Sequence, residues 1–456
     1  MAYRNLEEAL QGAGNAVEML RNSQIGPYAF PVVKHEFTNW RDEQRSWRET
    51  CALFDQSHHM TDLYVEGPDA LKVFSDLGVN SFKNFKVNTA KQFVATNPNG
   101  YVIGDAILFY LSENRFNLVG RPPAANWVEY HVSTGKYDAK TERDERSAQN
   151  NGRRKTFRFQ LQGPNALKTM QKIIGKTPPD VRFFAMDTFR IGGCDVRALR
   201  HGMVGQPGWE LFGPWEDGDK VRDAIVAAGQ EFGIRQVGAR TYPTSCLESG
   251  WIPSPCPAIY TGDEMKAYRQ WLNGTSYEAM ASLGGSYVSR SIEDYYLTPY
   301  DLGYGPFVKF DHDFIGRAAV EKMAANPPRQ KVTLLWNGDD VARAFKTMSD
   351  DGDITKYIDT PLANYASLPY DRVMKGGKAV GLSTYTGYTY NERSWLSLGI
   401  VNNDAAAPGT EVTLVWGEEG RGTTKPTVER HKQAEIRATV APVPISEVAR
   451  VAYRPK

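Results

Sequence analysis

Three ionisable side chains in this sequence stand where their neighbours would make them chemically useful. Asp105 lies within the apolar stretch NPNGYVIGDAILF, where a carboxylate must be exposed, paired or functional. Arg121 occupies a stiff Gly-Arg-Pro-Pro corner, which would fix a guanidinium for bidentate carboxylate binding unless it is a simple surface arginine. Glu210, among the apolar residues of GQPGWELFGP, suits either recognition of a two-donor edge, such as a 2-aminopyrimidinone ring, or a core salt bridge.

The stretch RTYPTSCLESGWIPSP, residues 240–255, places two large side chains with polar tips, Tyr242 and Trp251, among prolines. Proline is unfavourable inside helices and strands, so the chain must bend here, as a structural corner or as the wall of a site. DQSHHM, residues 55–60, sets His58 and His59 before a predicted strand. From the sequence alone, a structural or capping role is the simpler interpretation of these histidines.

Composition and absent motifs exclude several functional classes. The 456 residues include 54 basic and 53 acidic side chains, so no nucleic-acid or anionic-membrane surface is expected. We find no run of about 18 apolar residues, and the polar start MAYRNLEEALQGAG is not typical of a signal peptide. Four cysteines without a CxxC pair suggest free thiols in a reducing cytoplasm. The sequence lacks GxGxxG, GxxxxGK[ST], HExxH and GxSxG motifs, and no metal site is predicted.

Hydrophobic periodicity predicts two α/β halves followed by an antiparallel β-domain. Each half contains a strand, a Gly-Pro-Asp/Asn-Ala-Leu turn and a helix, in YVEGPDALKVF and FQLQGPNALKTM. The charged, asparagine-rich segment 141–156 between them predicts a surface loop or a subdomain boundary. After residues 326–330, short strands at even spacing, such as KVTLLWNG and TEVTLVWGE, predict a small barrel.

Several stretches occur together in a fixed order: FDQSHHMTDLYVEGPDAL, NPNGYVIGDAILFY, FQLQGPNAL, GWELFGP, LESG, YDLGYGPFVKFDHDFIGRAAVE and VGLSTYTGYTYNE. In this combination the chain resembles the aminomethyltransferase superfamily of the glycine-cleavage T-protein over about residues 35–445. Within it, EMLRNSQIG, VGRPPAANW and LESGWIPSPCPAIYTGD are similar to the bacterial tetrahydrofolate-dependent aryl O-demethylases of vanillate, 3-O-methylgallate and syringate.

The resemblance implies an α+β fold with three domains in a cloverleaf around a central folate cavity. Two α/β subdomains would lie in residues 1–325, with their boundary loop near 141–156. A C-terminal antiparallel β-barrel domain would occupy residues 326–456. The implied reaction moves a methyl group from an aryl methoxy acid to N5 of tetrahydrofolate, giving 5-methyltetrahydrofolate and a catechol-type acid, in the catabolism of lignin-derived aromatics.

The resemblance also implies roles for individual residues. Glu210 would read the pterin edge of tetrahydrofolate. The same cofactor cavity would be lined by Gln56, Gln162, Asp105 and Trp251. Tyr242 would donate a proton to the leaving phenolate oxygen, because the ordinary pKa of both phenols is about 10.

The aromatic acid would be held by side chains of complementary charge and shape. Arg121 would bind its carboxylate, and His59, with His58, would contact the ring oxygens and stabilise a neighbouring phenolate. The ring itself would face Tyr28, Phe30 and Trp251. A phenylalanine at position 30 would tolerate a second methoxy group, which favours syringate.

Three departures from the T-protein pattern concern the site. Gly104 precedes Asp105 where the pattern has two adjacent acids, so the acid that serves amine chemistry is absent. Cys246 replaces an arginine in SCLE, in a segment that is about two residues longer and contains Tyr242. Arg121 replaces small or amide residues. Together they favour a negatively charged aromatic acid over an aminomethyl donor.

Two alternatives stay open. One is a folate-dependent demethylase or aminomethyltransferase of a small aliphatic donor. The other is a non-catalytic folate-binding accessory protein, related to those of iron–sulfur assembly. The latter carry Lys-Gly-Cys-Tyr-x-Gly-Gln where this chain has Phe314-Ile315-Gly316-Arg317. The sequence makes no prediction of the oligomeric state.

Overall fold

The structure is a computed structural model that describes residues 3–253, 255–421 and 425–452. The helices are α1 (Leu6–Ala13), α2 (Ala16–Arg21), α3 (Trp40–Glu49), α4 (Ala70–Leu77), α5 (Pro122–Ser133), α6 (Ala166–Ile174), α7 (Gly218–Gly229), α8 (Ser245–Ser249), α9 (Lys266–Trp271), α10 (Tyr277–Met280), α11 (Arg317–Ala324) and α12 (Gly338–Lys346). The strands are β1 (Cys51–Asp55), β2 (Thr61–Glu66), β3 (Thr89–Thr96), β4 (Val102–Ser112), β5 (Arg115–Gly120), β6 (Lys140–Asp144), β7 (Thr156–Gln162), β8 (Met186–Ile191), β9 (Cys194–Arg200), β10 (Gly208–Pro214), β11 (Ile234–Val237), β12 (Leu283–Gly284), β13 (Arg329–Trp336), β14 (Leu368–Pro369), β15 (Asp371–Lys375), β16 (Lys378–Thr389), β17 (Ser394–Asn402), β18 (Glu411–Trp416) and β19 (Ala434–Ala441).

Two large sheets and a barrel form the frame of the protein, beside a small sheet of β12 and β14. An antiparallel sheet has the strand order β3-β4-β5-β2-β6, and a second sheet has the order β11-β1-β7-β10-β9-β8, in which β1 and β11 are parallel. A closed antiparallel barrel has the order β13-β17-β16-β15-β18-β19, so the predicted C-terminal barrel is confirmed. Within the described residues, no helix is both long enough and apolar enough to cross a membrane.

The repeated glycine turn has a steric cause in both halves. Gly67 follows β2 with φ 141°, and Gly163 follows β7 with φ 125°. A Cβ would lie 2.5 Å from the Asp138 carbonyl oxygen at the first position and 2.7 Å from the Thr50 carbonyl oxygen at the second. Only glycine fits this close approach, and each turn leads into a helix, α4 or α6.

Strand β7 separates an apolar layer from a polar one. Because successive side chains of a strand point to opposite faces, Phe157, Phe159 and Leu161 join the core beneath α6 and α7. The other face carries Arg158, Gln160 and Gln162, all of them buried. A buried polar face of this kind must be hydrogen-bonded or must serve a site.

The segment 141–156, predicted as a surface loop or a subdomain boundary, is only partly exposed. Its first residues form β6, the edge strand beside β2. Arg154 is only 7% exposed, and its guanidinium lies 2.7 Å from Asp62 and 3.3 Å from Asp144. Its charge is therefore buried because two carboxylates pair with it, a relationship that composition alone does not reveal.

Candidate active site

A cavity of about 320 Å³ lies where the two sheets, the corner before α8 and the barrel meet. This volume is within the range of small-ligand sites. Its polar lining comes from Gln56, His59, Gln92, Asp105, Arg121, His201, Glu210, Tyr242, Ser245, Cys246, Ser249, Trp251 and Tyr385. Most of the predicted site residues therefore meet in one place, although they come from distant parts of the chain.

The proline-rich stretch forms both a structural corner and a wall of this cavity. Tyr242 begins a single 3-10 turn that leads directly into α8. Behind the turn, the buried Glu248 carboxylate accepts hydrogen bonds from Trp47 Nε1 at 3.1 Å and from Thr389 Oγ1 at 2.7 Å. Glu248 therefore joins the corner to α3 and to the barrel, while Tyr242 and Trp251 line the cavity.

The Tyr242 hydroxyl has a defined donor partner. Gln56 Nε2 lies 3.1 Å from the phenol oxygen and donates to it. The ring packs between Phe30 and His59, with centroid distances of 4.9 and 4.8 Å. Burial raises the pKa of the Tyr242 phenol well above its ordinary value. The group is therefore a neutral phenol at neutral pH and can donate a hydrogen bond, although burial makes it a weaker acid than an exposed tyrosine.

Arg121 stands at the junction of β5 and α5. The backbone is extended at this residue, and α5 begins with Pro122, whose fixed φ suits a first helical position. The guanidinium carbon lies 4.0 Å from the centroid of the Tyr28 ring, and the Tyr28 hydroxyl donates to the backbone carbonyl of His59. The cation is thus held against one aromatic face at the edge of the cavity.

His59 is buried beside Tyr242 and carries no charge. Burial lowers its pKa to about 3, and the positive charge of Arg121 acts in the same direction. Its Nδ1 is buried and has no hydrogen-bond partner within the described part of the chain. His59 therefore lines the cavity as a neutral imidazole with one hydrogen-bonding atom unused.

His58 corrects a sequence expectation, because the structure places it outside this cavity. Its Nδ1 lies 2.8 Å from Ser147 Oγ, and its Nε2 lies 3.5 Å from the Asp55 carboxylate. The ring borders a different groove, of about 670 Å³, together with Trp215. Consecutive residues turn to opposite sides here, so His58 does not reach a substrate ring bound beside His59.

Glu210 lies on β10 and forms the buried salt bridge that was one interpretation of its sequence position, while it also lines the cavity. Its Oε1 is 2.5 Å from the Arg158 guanidinium, which also bonds Asp62 at 2.8 Å, and its Oε2 is 3.5 Å from His201 Nδ1. Burial alone would raise the pKa of Glu210, but the Arg158 charge holds it below the ordinary value. The result is an ionised carboxylate that belongs to a buried salt bridge and also lines the cavity.

Asp105 is the centre of a hydrogen-bond network at the cavity wall. Its Oδ2 accepts from Tyr304 Oη at 2.6 Å, Gln92 Nε2 at 2.9 Å and Trp251 Nε1 at 3.1 Å. Burial raises the pKa of Asp105, although the bonds from Tyr304 and Trp251 act in the opposite direction. Asp105 therefore fixes the Trp251 indole, which is 38% exposed, at the cavity.

Gln162 also departs from expectation, since it lies behind the cavity wall and does not line it. Its Oε1 accepts from the backbone N–H of Met203 at 2.8 Å. Met203 stands in front of it and contacts both Gln56 and Tyr242 through its sulfur. The position of Met203 could not be anticipated, because it belongs to the irregular segment HGMVGQP.

Tyr385 and Cys246 line the cavity; Tyr385 was missed as a site residue, and Cys246 was noted only as a departure from the T-protein pattern. Tyr385 lies in the strand stretch GLSTYTGYTY, and regular alternation gives no sign that it occupies a bulge. Cys246 follows the Tyr242 turn, and burial raises the pKa of its thiol to about 11. Among the described residues, no group of three or more His, Cys, Asp or Glu is arranged to hold a metal ion.

The absence of a second acid beside Asp105 has a steric reason. A Cβ at Gly104 would lie 2.8 Å from the backbone nitrogen of Ala124 and 3.2 Å from the Pro123 side chain. Both belong to the first turn of α5, which follows the Arg121 corner. The Arg-Pro-Pro corner thus brings α5 onto β4 where a side chain at position 104 would stand.

The fold and the cavity define the class of protein, and sequence comparison agrees. The family described as "GCVT N-terminal domain" matches residues 13–254, and the chain belongs to this family. The crystal structure of glycine cleavage system aminomethyltransferase T from Bartonella henselae covers 96% of this chain and 97% of its own, at a TM-score of 0.60 and 18% identity. The mixed α/β architecture with a six-stranded barrel therefore matches the T-protein fold, as predicted.

Two curated relatives extend over nearly the whole chain. Syringate O-demethylase from Sphingobium sp. (strain NBRC 103272 / SYK-6) is 52% identical over 451 residues, which cover 99% of this chain and 98% of that protein. Sesamin methylene transferase from Sinomonas sp. (strain No.22) is 30% identical over 432 residues, or 91% of each chain. The predicted family relationship is confirmed.

Proposed function

We propose that this protein transfers the methyl group of an aryl methoxy acid to N5 of tetrahydrofolate and leaves a phenol on the ring. The relationship to syringate O-demethylase confirms the predicted class of enzyme, and syringate is the substrate that we propose within it. The observation that carries the proposal is that one cavity combines a phenol donor, Tyr242, a cation, Arg121, and a neutral imidazole, His59.

The residues of the cavity fit a folate. The cavity offers the ionised Glu210 carboxylate, and two buried atoms, Gln56 Oε1 and His59 Nδ1, have no hydrogen-bond partner in the described chain. An unsatisfied buried polar atom costs about 1–3 kcal/mol, so a ligand that supplies the missing bonds is favoured there. Glu210 and Gln56 would hold the pterin, beside Trp251 and Asp105. When bound, tetrahydrofolate would supply N5 as the methyl acceptor.

Tyr242 would assist departure of the aryl oxygen. As the methyl carbon–oxygen bond breaks, the oxygen keeps the electron pair and takes the proton of the Tyr242 hydroxyl. Gln56 Nε2 already donates to that hydroxyl oxygen and would stabilise the tyrosinate until it regains a proton from solvent, into which the proton displaced from N5 would be released. General acid assistance of this kind contributes roughly 10²–10⁴-fold.

The aromatic acid would bind with its carboxylate against Arg121. The guanidinium is positioned by the Tyr28 ring, and Phe30 forms an apolar wall 4.5 Å from the His59 ring, centroid to centroid. A flat wall beside a neutral donor suits a ring that carries two methoxy groups and a central oxygen. This arrangement supports syringate.

We extend the proposal to organisation and location. Residues 1–325 would form the folate-binding region, with its subdomain boundary near 141–156, and residues 326–456 the barrel domain. All four cysteines are buried and free, which supports a reducing compartment such as the cytoplasm.

The decisive experiment offers the purified protein tetrahydrofolate with an equimolar mixture of syringate, vanillate and 3-O-methylgallate. Loss of each acid and gain of 5-methyltetrahydrofolate are followed by chromatography. We expect stoichiometric transfer, fastest from syringate. Turnover of an aliphatic methyl donor in place of the methoxy acids would contradict the proposal, and folate binding without any transfer would indicate an accessory protein.

A further inference from the structure

The barrel contributes to the cavity one aromatic residue, Tyr385, whose backbone is strained. Tyr385 has φ 43°, in the left-handed region, at a bulge where β16 loses register with β17 between Thr384 and Thr386. A bulky residue rarely adopts this conformation, which costs roughly 1–3 kcal/mol and persists where surrounding contacts require it. The bulge re-aims the ring toward the cavity, where it is 6% exposed.

The re-aimed ring contacts the backbone of the Tyr242 corner. Its hydroxyl donates to the Pro243 carbonyl oxygen at 2.9 Å, one residue after Tyr242. On the opposite side, Thr244 Oγ1 accepts from Gln44 Nε2 at 2.9 Å. The short turn that carries the proposed proton donor is therefore held from two elements, the barrel and helix α3.

We propose that Tyr385 is a positioning residue, whose hydrogen bond to Pro243 fixes the turn so that the Tyr242 phenol faces the reacting oxygen. The inference rests on the proposed function and names a further residue for it. Tyr385 acts through Tyr242 and contributes alignment, to which proton transfer between positioned groups is highly sensitive.

The test compares Tyr385→Phe in the wild-type and in the Tyr242→Phe background. In the wild-type background we expect kcat for syringate to fall about 10- to 100-fold, with both KM values within about twofold. In the Tyr242→Phe background the same change should lower kcat by less than about twofold. A loss that is equal in both backgrounds, or an unchanged kcat in the first, would overturn the proposal.

A matched control separates positioning from general stability. Tyr365 is another buried tyrosine in the barrel core, and its hydroxyl has no partner among the described residues. Tyr365→Phe removes the same atom and should leave kcat and the melting temperature near wild type. p-Aminophenylalanine at position 385 keeps an N–H donor in place and should restore most of the lost kcat; a variant as slow as Tyr385→Phe would contradict the inference.

A second measurement does not depend on catalysis. The amides of Tyr242 and Thr244 donate within the turn, to Gly238 and Thr241. Hydrogen exchange at these two amides should be at least about tenfold faster in Tyr385→Phe and unchanged in Tyr365→Phe. Unchanged protection would refute the inference about Tyr385, whereas lack of methyl transfer by the wild type would refute only the proposed function.

Discussion

The Nε2 of Gln56 lies 3.1 Å from the hydroxyl oxygen of Tyr242 and donates to it. Since that oxygen is the acceptor in this bond, the phenol hydrogen is directed to another partner, the Met203 sulfur, 3.8 Å away. In the proposed reaction the aryl oxygen of the substrate would take the place of this weak acceptor. The bond from Gln56 also strengthens if the phenol oxygen becomes negative.

Replacement of Tyr242 by phenylalanine tests this role. We expect turnover of syringate to fall at least about 100-fold, because the general acid is removed. Calorimetry should show tetrahydrofolate binding within about twofold of wild type. Near-normal turnover, in a variant whose folding is verified by its melting temperature, would exclude Tyr242 as the donor.

Replacement of Arg121 by alanine should mainly weaken binding of the aromatic acid. A hydrogen bond to a charged group contributes about 1.5–3 kcal/mol, so the KM for syringate should rise about 10- to 100-fold. The KM for the methyl ester of syringate should change little, because the ester carries no carboxylate. Arg190→Ala, at an exposed arginine, is the control. Equal effects on acid and ester would argue against a carboxylate anchor.

Glu210 and Asp62 share Arg158 as a partner, which allows cofactor binding to be separated from stability. Both Glu210→Gln and Asp62→Asn should lower the free energy of unfolding, by up to about 3 kcal/mol, because each leaves the buried arginine with one carboxylate fewer. Only Glu210→Gln should raise the dissociation constant of tetrahydrofolate, by about tenfold or more. Similar folate binding in the two variants would contradict the pterin role of Glu210.

The low pKa of His59 predicts a specific sensitivity to acid. Its pKa is about 3 in the folded protein and about 6.5 when unfolded, so below pH 6.5 the unfolded state binds a proton that the folded state refuses. Protonation of His59 in the unfolded state therefore has little effect on the free energy of unfolding above pH 6.5 and lowers it progressively as the pH falls. Between pH 7 and pH 5 wild type should lose about 2 kcal/mol more unfolding free energy than His59→Gln. Urea titrations at the two pH values measure this, and parallel losses would show that His59 titrates normally.

Gly104→Ala tests the contact between β4 and helix α5. The added methyl would meet the Ala124 backbone, and overpacking of this kind costs about 1–3 kcal/mol. At Gly338, a Cβ would meet nothing within 4 Å, so Gly338→Ala should be neutral or slightly stabilising. Thermal unfolding of the two variants gives the comparison. Equal melting temperatures would mean that α5 moves aside easily.

The sequence predicted those features that depend on local residue patterns or on the order of the stretches that resemble the family. The barrel strands, helix α7 and the two glycine turns follow from periodicity and from residues such as Gly67 and Gly163. Side-chain direction was harder to predict. His58 and His59 adjoin in sequence but face different cavities, and the Tyr385 bulge depends on a register shift against another strand. Arg154 is buried because it pairs with carboxylates, one of which, Asp62, lies almost 100 residues away in the sequence. No local signal marks such a pairing.

The contact of Gly104 with helix α5 links two differences between this chain and the T-protein pattern. A side chain at position 104 and the first turn of α5 compete for the same volume. A residue larger than glycine at this position would therefore have to displace that turn and, with it, the Arg121 corner from which the helix starts. The close contact between β4 and α5 thus ties the residue type at position 104 to the placement of the Arg121 guanidinium at the cavity.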